Sequence, residues 1–178
     1  MAKLPLLGFC AYGSGTGKTT LLTQLIPELT ALGIRVSVIK HAHHQFDIDH
    51  PGKDSYRLRE AGAVQMMVGS RKRWALMTEL SRIGRDEAEP KLEQLIAQMD
   101  IGLADLILVE GFRGADIAKI EVYRAELNTP LLAEDDHSII AIATDSVISS
   151  AQPQINLNDI PAIARFVLAW LNTAKSSS

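Results

Sequence analysis

Short apolar runs alternate along the chain with segments whose apolar residues recur at helical spacing, and this order predicts an α/β fold. Continuous apolar runs are typical of strands that are buried on both faces of a parallel sheet. The pattern predicts strands at residues 6–11, 34–39, 64–68, 74–80, 106–109, 117–123 and 138–143. It predicts helices at residues 21–32, 54–61, 91–99 and 160–171. We therefore expect a three-layer sandwich around a mainly parallel sheet, with an antiparallel hairpin at residues 64–80.

Two positions interrupt this regular pattern. Pro27 lies inside the first predicted helix, where a proline removes one backbone hydrogen bond, so we expect the helix to be kinked near Thr23 or split there. Residues 41–52 form a connection that is longer than most in a compact domain, which is typical of a functional loop.

The length and composition narrow the class of protein. The chain has 178 residues, and we predict a single domain at residues 1–174 with a disordered tail at residues 175–178. Its net charge of −3 lacks the basic excess that broad binding to nucleic acids or membrane surfaces needs. Cys10 is the only cysteine, which excludes an internal disulfide and favours a reducing compartment. The apolar run at residues 4–12 is far shorter than the roughly 20 residues of a membrane helix. It leads straight into the glycine-rich loop described next, whose expected nucleotide ligand predicts a cytoplasmic protein.

The most specific motif is Gly-Ser-Gly-Thr-Gly-Lys-Thr-Thr at residues 13–20, here called the phosphate loop. In such a P-loop, the glycines let backbone N–H groups face the phosphates of a nucleotide at the start of the following helix. Lys18 is expected to reach the β- and γ-phosphates, and the Thr19 hydroxyl to ligate Mg²⁺. Tyr12 stands where the usual spacing has its first glycine, and Gly13 can supply the turn one residue later. The residues predicted to hold the phosphates are Gly13, Ser14, Gly15, Thr16, Gly17, Lys18, Thr19 and Thr20.

With this motif, the predicted sandwich is of the P-loop NTPase type, and ligands of such sheets bind at the carboxyl ends of the strands. The residues at those ends are Lys40, His41, Glu110, Gly111, Thr144 and Asp145. Glu110 ends an apolar strand and is predicted to hold Mg²⁺, although Asp is more usual there. The Gly111 N–H is predicted to contact the γ-phosphate. Arg113 either stabilises transferring phosphate charge or contacts only water.

Histidines and carboxylates are concentrated at residues 41–55. A dedicated transition-metal site involving His41, His43 and His44 is one interpretation. The favoured one is a switch or lid, in which Asp47 or Asp49 assists Mg²⁺ and the histidines contact phosphate or a second ligand. Asp54 either caps the next helix or activates water. The predicted metal ligands are Thr19, Glu110 and Asp49, and the predicted catalytic residues are Lys18, Glu110 and Asp54.

Two further sites keep alternatives open. Asp145 follows an apolar strand and could accept hydrogen bonds from guanine, yet no Asn-Lys-x-Asp segment is present, and the residue could equally cap a turn. The basic turn at residues 71–73 is either simply solvated or binds an anionic ligand or partner.

Over about residues 5 to 170, the chain resembles the molybdopterin-guanine dinucleotide biosynthesis adapter (MobB) family. The resemblance rests on the phosphate loop, Lys-His-Ala-His-His at 40–44, Pro-Gly-Lys-Asp-Ser at 51–55, Ala-Gly-Ala at 61–63, Val-Glu-Gly-Phe at 109–112, Lys-Ile-Glu-Val-Tyr-Arg at 119–124 and Thr-Asp at 144–145. It implies a homodimeric protein that binds GTP with Mg²⁺, hydrolyses it weakly, and works beside the guanylyltransferase and other molybdenum cofactor proteins. By the same motifs, Glu110 and Gly111 would lie at the metal and the γ-phosphate.

The residues themselves favour a binding role over fast catalysis. Rapid hydrolysis needs a positioned water and often an arginine finger, worth about 10³ to 10⁵ in rate, and no glutamine follows Gly111. Slow turnover suits a switch. The alternative is a small-molecule kinase whose phosphoryl acceptor is held by residues 41–55 and 71–73, with Asp54 within reach of the acceptor hydroxyl.

Overall fold

The apolar runs form eight strands in the computed structural model, which describes residues 4–42, 46–86 and 89–176. The strands are β1 (Leu6–Cys10), β2 (Val36–Lys40), β3 (Gln65–Gly69), β4 (Trp74–Thr78), β5 (Leu106–Glu110), β6 (Lys119–Tyr123), β7 (Ile139–Thr144) and β8 (Gln154–Asn156). The α-helices are α1 (Lys18–Ala31), α2 (Asp54–Glu60), α3 (Leu92–Ile96) and α4 (Ile160–Ser176). Short 3₁₀ turns lie at Leu80–Ile83, Ile101–Leu103, Ala125–Leu127 and Leu132–Glu134.

By its contacts the chain divides into two units. Met1–His41 and Leu92–Ser178 form the first unit, and Ala42–Lys91 forms the second.

The first unit is built on a six-stranded sheet in the order β2-β5-β1-β6-β7-β8, and every neighbouring pair in it is parallel. β5 lies between β1 and β2, so the two strands joined by α1 are not neighbours. In the register, Glu110 pairs with Phe9 on one side and with Lys40 on the other. The carboxyl ends of the three strands therefore lie side by side.

Alternate residues of the central strands face opposite layers of the first unit. On β5, Leu106 and Leu108 belong to a core cluster with α1 and α4, whereas Ile107 and Val109 belong to a second cluster with α3. Helices thus cover both faces of the sheet, and the predicted three-layer sandwich is confirmed. The continuous apolar run is explained by this double burial.

α1 runs from Lys18 to Ala31 through Pro27, so the helix is not split, and the alternative of a kink near Thr23 stays a prediction. Its buried face is Leu21, Leu22, Leu25 and Leu29. Gly17, at φ 97°, is the N-cap, and Gly33, at φ 81°, follows the helix end. Both glycines adopt the left-handed conformation that costs other residues energy, which explains the start and the stop.

The second unit contains α2 and the antiparallel hairpin of β3 and β4, as predicted. The hairpin pairs run from Gln65 with Thr78 to Gly69 with Trp74. Among the described residues of this unit, no apolar side chain is fully buried, whereas Arg59 is 9% exposed. The Arg59 guanidinium donates hydrogen bonds to Asp47 and Glu79. Ion pairs and the hairpin ladder, rather than an apolar core, therefore hold this unit together.

Most predicted bounds differ from the observed ones by one to three residues, and the larger differences lie in α3, β8 and α4. The helix predicted at 91–99 is only Leu92–Ile96, and β8, a three-residue edge strand, was not predicted. α4 continues to Ser176, so Lys175 and Ser176 are helical and not part of a disordered tail; residues 177–178 lie outside the described residues. None of the helices in the described parts of the chain is long and apolar enough to span a membrane.

Candidate nucleotide-binding site

The phosphate loop lies between β1 and α1, at the carboxyl edge of the sheet, as the sequence predicts. Gly15 and Gly17 have φ values of 75° and 97°, which a side chain would strain. The Thr16 hydroxyl donates a hydrogen bond to the Gly13 carbonyl at 3.1 Å, and the Lys18 ammonium donates to the same oxygen at 2.8 Å. No heavy atom lies within 4 Å of where a Cβ would stand on Gly13 or Gly15, so these glycines border open space. The binding of phosphates to this loop stays a prediction.

Burial lowers the pKa of the Lys18 ammonium, the Glu110 carboxylate opposes that shift, and the nearby Lys40 charge adds to it. An anion brought to the loop would favour the charged form of Lys18. The loop is therefore electrostatically suited to a phosphate.

Thr19, Lys40 and Glu110 come together beside the loop. The Thr19 hydroxyl donates to Glu110 Oε1 at 2.7 Å. The Lys40 ammonium donates to the same Oε1 at 2.8 Å and to Thr19 Oγ1 at 3.0 Å. Hydroxyl and carboxylate oxygens are ligands that Mg²⁺ prefers, so the pair predicted as metal ligands fits that ion.

Lys40 contacts both predicted metal ligands, Thr19 and Glu110, whereas its sequence position indicates only a residue at a strand end. The signal that could have revealed it is the pairing of β2 with β5, which places Lys40 opposite Glu110. That pairing joins residues 70 positions apart and is not readable from local pattern.

Gly111 has no room for a side chain. Its φ is 96°, and a Cβ there would lie 3.0 Å from the Cβ of His41. The His41 N–H donates to the Glu110 carbonyl at 2.8 Å, which brings the two chain segments this close. The contact of the Gly111 N–H with a γ-phosphate stays a prediction. The Arg113 guanidinium lies 6.0 Å from the centre of the Tyr12 ring, in a cation–π contact.

Asp145 lies at the end of β7 and is bound to Arg124. Arg124 Nη1 donates to Asp145 Oδ2 at 3.3 Å, and the Ala125 N–H donates to Asp145 Oδ1 at 3.2 Å. Arg124 Nε also donates to the Thr16 carbonyl at 3.1 Å, so one arginine joins Asp145 to the phosphate loop. Asp145 thus stabilises the turn after β6, and its contact with guanine stays a prediction.

A cavity of about 270 Å³ lies against the phosphate loop on the β8 side. Its lining includes Gly17, Thr20, Gln24, Arg124, Leu157 and Asn158. Apolar and amide groups meet there beside the start of α1, next to the residues predicted to hold phosphates. A group larger than a phosphate has room at this end of the loop.

Asp49 and Asp54 belong to the second unit. Asp49 Oδ1 accepts hydrogen bonds from the His50 N–H and the Ser55 hydroxyl, both at 2.9 Å. The Asp54 side chain is 94% exposed, and its nearest cation is Arg57 at 3.8 Å. Lys53, not Asp54, is the N-cap of α2, so that interpretation of Asp54 is wrong by one residue; an acidic first-turn residue still favours the helix dipole. The roles of both aspartates toward a nucleotide stay predictions.

Of the three histidines, His43 and His44 lie outside the described residues. The His41 ring contacts the Phe112 ring at 5.0 Å between centroids, with the planes tilted by 38°. In residues 4–42, 46–86 and 89–176 there is no group of three or more His, Cys, Asp or Glu side chains placed to bind a metal.

Comparison with known proteins identifies the family. The family model for molybdopterin guanine dinucleotide synthesis protein B, MobB, matches residues 6–145. This chain belongs to the MobB family. The molybdopterin-guanine dinucleotide biosynthesis adapter protein of Escherichia coli (strain K12) is 48% identical over 94% of both chains. The adapter protein of the same name from Haemophilus influenzae is 45% identical over 96% of this chain and 91% of its own.

Solved MobB structures share the fold. A crystal structure of molybdopterin-guanine biosynthesis protein B aligns with a TM-score of 0.71 at 25% identity, covering 94% of this chain and 99% of the other. Bacillus subtilis MobB aligns with a TM-score of 0.69 at 22% identity, covering 93% and 96%. The MobB match spans the phosphate loop, Lys40 and Glu110, and its last residue is Asp145.

Proposed function

We propose that this MobB-family chain is a GTP-binding adapter in molybdopterin guanine dinucleotide biosynthesis, which assists the guanylyltransferase step and hydrolyses GTP slowly. The observation that carries the proposal is the phosphate loop, joined to Glu110 by the 2.7 Å hydrogen bond from Thr19. The relatives that share 48% and 45% identity carry the adapter name. A cytosolic location and a homodimer are part of the proposal, supported by the lone thiol of Cys10 and by the family resemblance.

In this proposal, each residue of the site has a distinct task. Backbone N–H groups of residues 13–20 bind the phosphates, and Lys18 exchanges the Gly13 carbonyl for the β- and γ-phosphates. Thr19 and Glu110 would hold Mg²⁺, which neutralises phosphate charge when it is bound. Asp145 would accept from guanine, with Arg124 orienting its carboxylate.

The slow hydrolysis follows from the arginines and from the residues after Glu110. Fast P-loop hydrolysis uses a positioned water and an arginine that reaches the transferring phosphate. Arg113 is stacked on Tyr12, and Arg124 is bound to Thr16 and Asp145. A protein with these contacts is suited to bind GTP and change its interactions when the γ-phosphate leaves.

A titration of the purified chain with GTP, ATP and GDP in Mg²⁺, repeated with the guanylyltransferase present, tests the proposal. We expect GTP to bind most tightly and its affinity to change when the enzyme is added, because an adapter couples the two binding events. A preference for ATP with no coupling would contradict the adapter function.

A small-molecule kinase is the second candidate, because the Asp54 carboxylate is exposed to the solvent from which an acceptor hydroxyl would approach it. Single-turnover assays with γ-labelled nucleotide separate the two functions. Label that passes to water supports the adapter, and label that passes to a small-molecule acceptor supports the kinase.

A further inference from the structure

Lys40 donates hydrogen bonds to both Thr19 and Glu110, the two residues that would ligate Mg²⁺, and these two residues also bond to each other. The distances are 2.7 Å from Thr19 Oγ1 to Glu110 Oε1, 2.8 Å from Lys40 Nζ to Glu110 Oε1, and 3.0 Å from Lys40 Nζ to Thr19 Oγ1. The Thr19 hydroxyl gives its hydrogen to Glu110 and therefore receives the Lys40 donor on an oxygen lone pair.

A divalent cation ligated by Thr19 would bind the same oxygen atom, because the hydroxyl hydrogen cannot face a cation. Lys40 already takes one of the two lone pairs of that oxygen, so the cation would lie close to the ammonium. Glu110 Oε1 likewise already serves two donors. Since an ammonium and a divalent cation repel each other strongly at contact distance, the two are mutually exclusive on these ligands.

The fold gives Lys40 and Glu110 different freedom to move. Lys40 and Glu110 are paired in the register of β2 and β5, and the His41 N–H binds the Glu110 carbonyl, so both backbones are fixed. The Lys40 side chain is 53% exposed, whereas that of Glu110 is 10% exposed. The ammonium can therefore leave for water on its flexible stem while the carboxylate stays in place.

We propose that Lys40 is an internal cation, which occupies the Thr19–Glu110 pair until a divalent cation displaces it. It neutralises a largely buried carboxylate in the absence of metal and sets the metal concentration at which the site is filled. This inference rests on the proposed function, because the divalent cation is the one that accompanies the nucleotide.

The test compares Lys40→Gln, which keeps a hydrogen-bond donor but removes the charge, with Lys40→Arg, which keeps the charge. Lys175→Gln, on the exposed end of α4, is the control for the change in net charge. Two quantities are measured by calorimetry: the Mg²⁺ concentration that gives half-maximal GTP binding, and the shift in thermal midpoint caused by Mg²⁺ without nucleotide.

We expect Lys40→Gln to need at least about threefold less Mg²⁺ for half-maximal binding and to be stabilised more than wild type by Mg²⁺ alone. Lys40→Arg and Lys175→Gln should behave as wild type. If Lys40→Gln does not fold, Lys40→Met repeats the test with another neutral side chain.

The outcomes separate this inference from the proposed function. GTP binding with an unchanged Mg²⁺ requirement in Lys40→Gln would overturn the inference and leave the adapter function intact. A loss of GTP affinity at every Mg²⁺ concentration would also overturn it, because Lys40 would then contact the nucleotide. If wild type binds no nucleotide, the proposed function fails, and the thermal shift with Mg²⁺ alone still decides the role of Lys40.

Discussion

At the scale of single residues, two lysine side chains of the candidate site are hydrogen-bonded to oxygen atoms of the protein itself. Lys18 donates to the Gly13 carbonyl and Lys40 to Glu110, both at 2.8 Å. A nucleotide bound as proposed would replace the first of these contacts, so its affinity would be a difference between two sets of hydrogen bonds. Lys18 is outside the apolar core, so we expect its removal to change binding more than folding.

Lys18→Ala is expected to abolish GTP binding and to leave the far-ultraviolet circular dichroism and thermal midpoint close to those of wild type. The ammonium supplies charge at the β- and γ-phosphates that the alanine cannot replace. Titration calorimetry in Mg²⁺ measures the loss, with Lys175→Ala as the control for removing one lysine. Unchanged GTP affinity would remove the assignment of the phosphate loop.

Cys10 should resist alkylation in the folded protein. Burial raises the pKa of its thiol from 9.0 to about 12, Glu121 adds to the shift, and Lys119 opposes it. At pH 8 its thiolate fraction is then about a thousandfold lower than that of an exposed thiol, and the thiolate is the reactive form.

Because the folded pKa is the higher one, this thiol contributes stability below pH 9 that is lost as the pH rises toward 12. Iodoacetamide labelling followed by mass spectrometry, with and without urea, measures the difference in reactivity. Equal rates in the two conditions would contradict the burial.

The residues expected to bind phosphate can be predicted because their spacing is local, whereas the residues that contact them cannot. The phosphate loop and Glu110 follow from neighbours in sequence. Lys40 and Arg124 reach the loop from strands that are distant in the chain, through hydrogen bonds to Thr19 and Thr16. Only the strand order reveals such contacts.

At the scale of elements, strands of five residues or more could be predicted whether they are buried or exposed. β5 is buried at all five positions and shows a continuous apolar run, whereas β3 and β4 are largely exposed and flank a turn signal. β8 alternates exposed and half-buried residues over three positions, which is too short for a periodic signal. Pro27 does not split α1, because the packing of the apolar face keeps the helix continuous although one backbone N–H donor is missing.

Pro27→Ala is expected to stabilise the protein. Pro27 is exposed in the interior of α1, where proline is about 3 kcal/mol less favourable than alanine. The greater freedom of the unfolded alanine variant offsets about 0.4 to 1 kcal/mol, so we expect a gain of roughly 1 to 3 kcal/mol. Urea denaturation measures the gain, with the exposed neighbour Glu28→Ala as the control. Destabilisation would mean that the proline ring makes a favourable contact.

At the scale of the whole molecule, the two units differ in what holds them together. The first unit contains the buried apolar side chains of the sheet and its helices. The described part of Ala42–Lys91 has none, and exposes large apolar residues such as Met67 and Trp74. Regions with few buried apolar contacts open at lower free energy than the core does.

Native-state hydrogen exchange should therefore give a lower free energy of opening for the second unit than for the first. We expect the amides of β3 and β4 to open at a free energy at least about 2 kcal/mol below that of β5, which is central in its sheet. Mass spectrometry of peptic fragments gives both values, with β1 as a second core reference. Equal protection of β3, β4 and β5 would show that another surface buries the hairpin. A loss of that protection at lower protein concentration would identify a second copy of the chain as that surface.

The position of β5 between β1 and β2 also has a consequence for synthesis on the ribosome. Leu6 of β1 pairs with Ile107 of β5, and Val36 of β2 pairs with Leu106 of β5. β1 and β2 therefore lack the strand that lies between them until β5 has been translated. At about 5 to 20 residues per second, that delay is on the order of 5 to 20 seconds. During it, the apolar strand edges are open to chaperones or to neighbouring nascent chains. The phosphate loop, translated early, thus gains Glu110 and Arg124 as neighbours only after residue 124 has been translated.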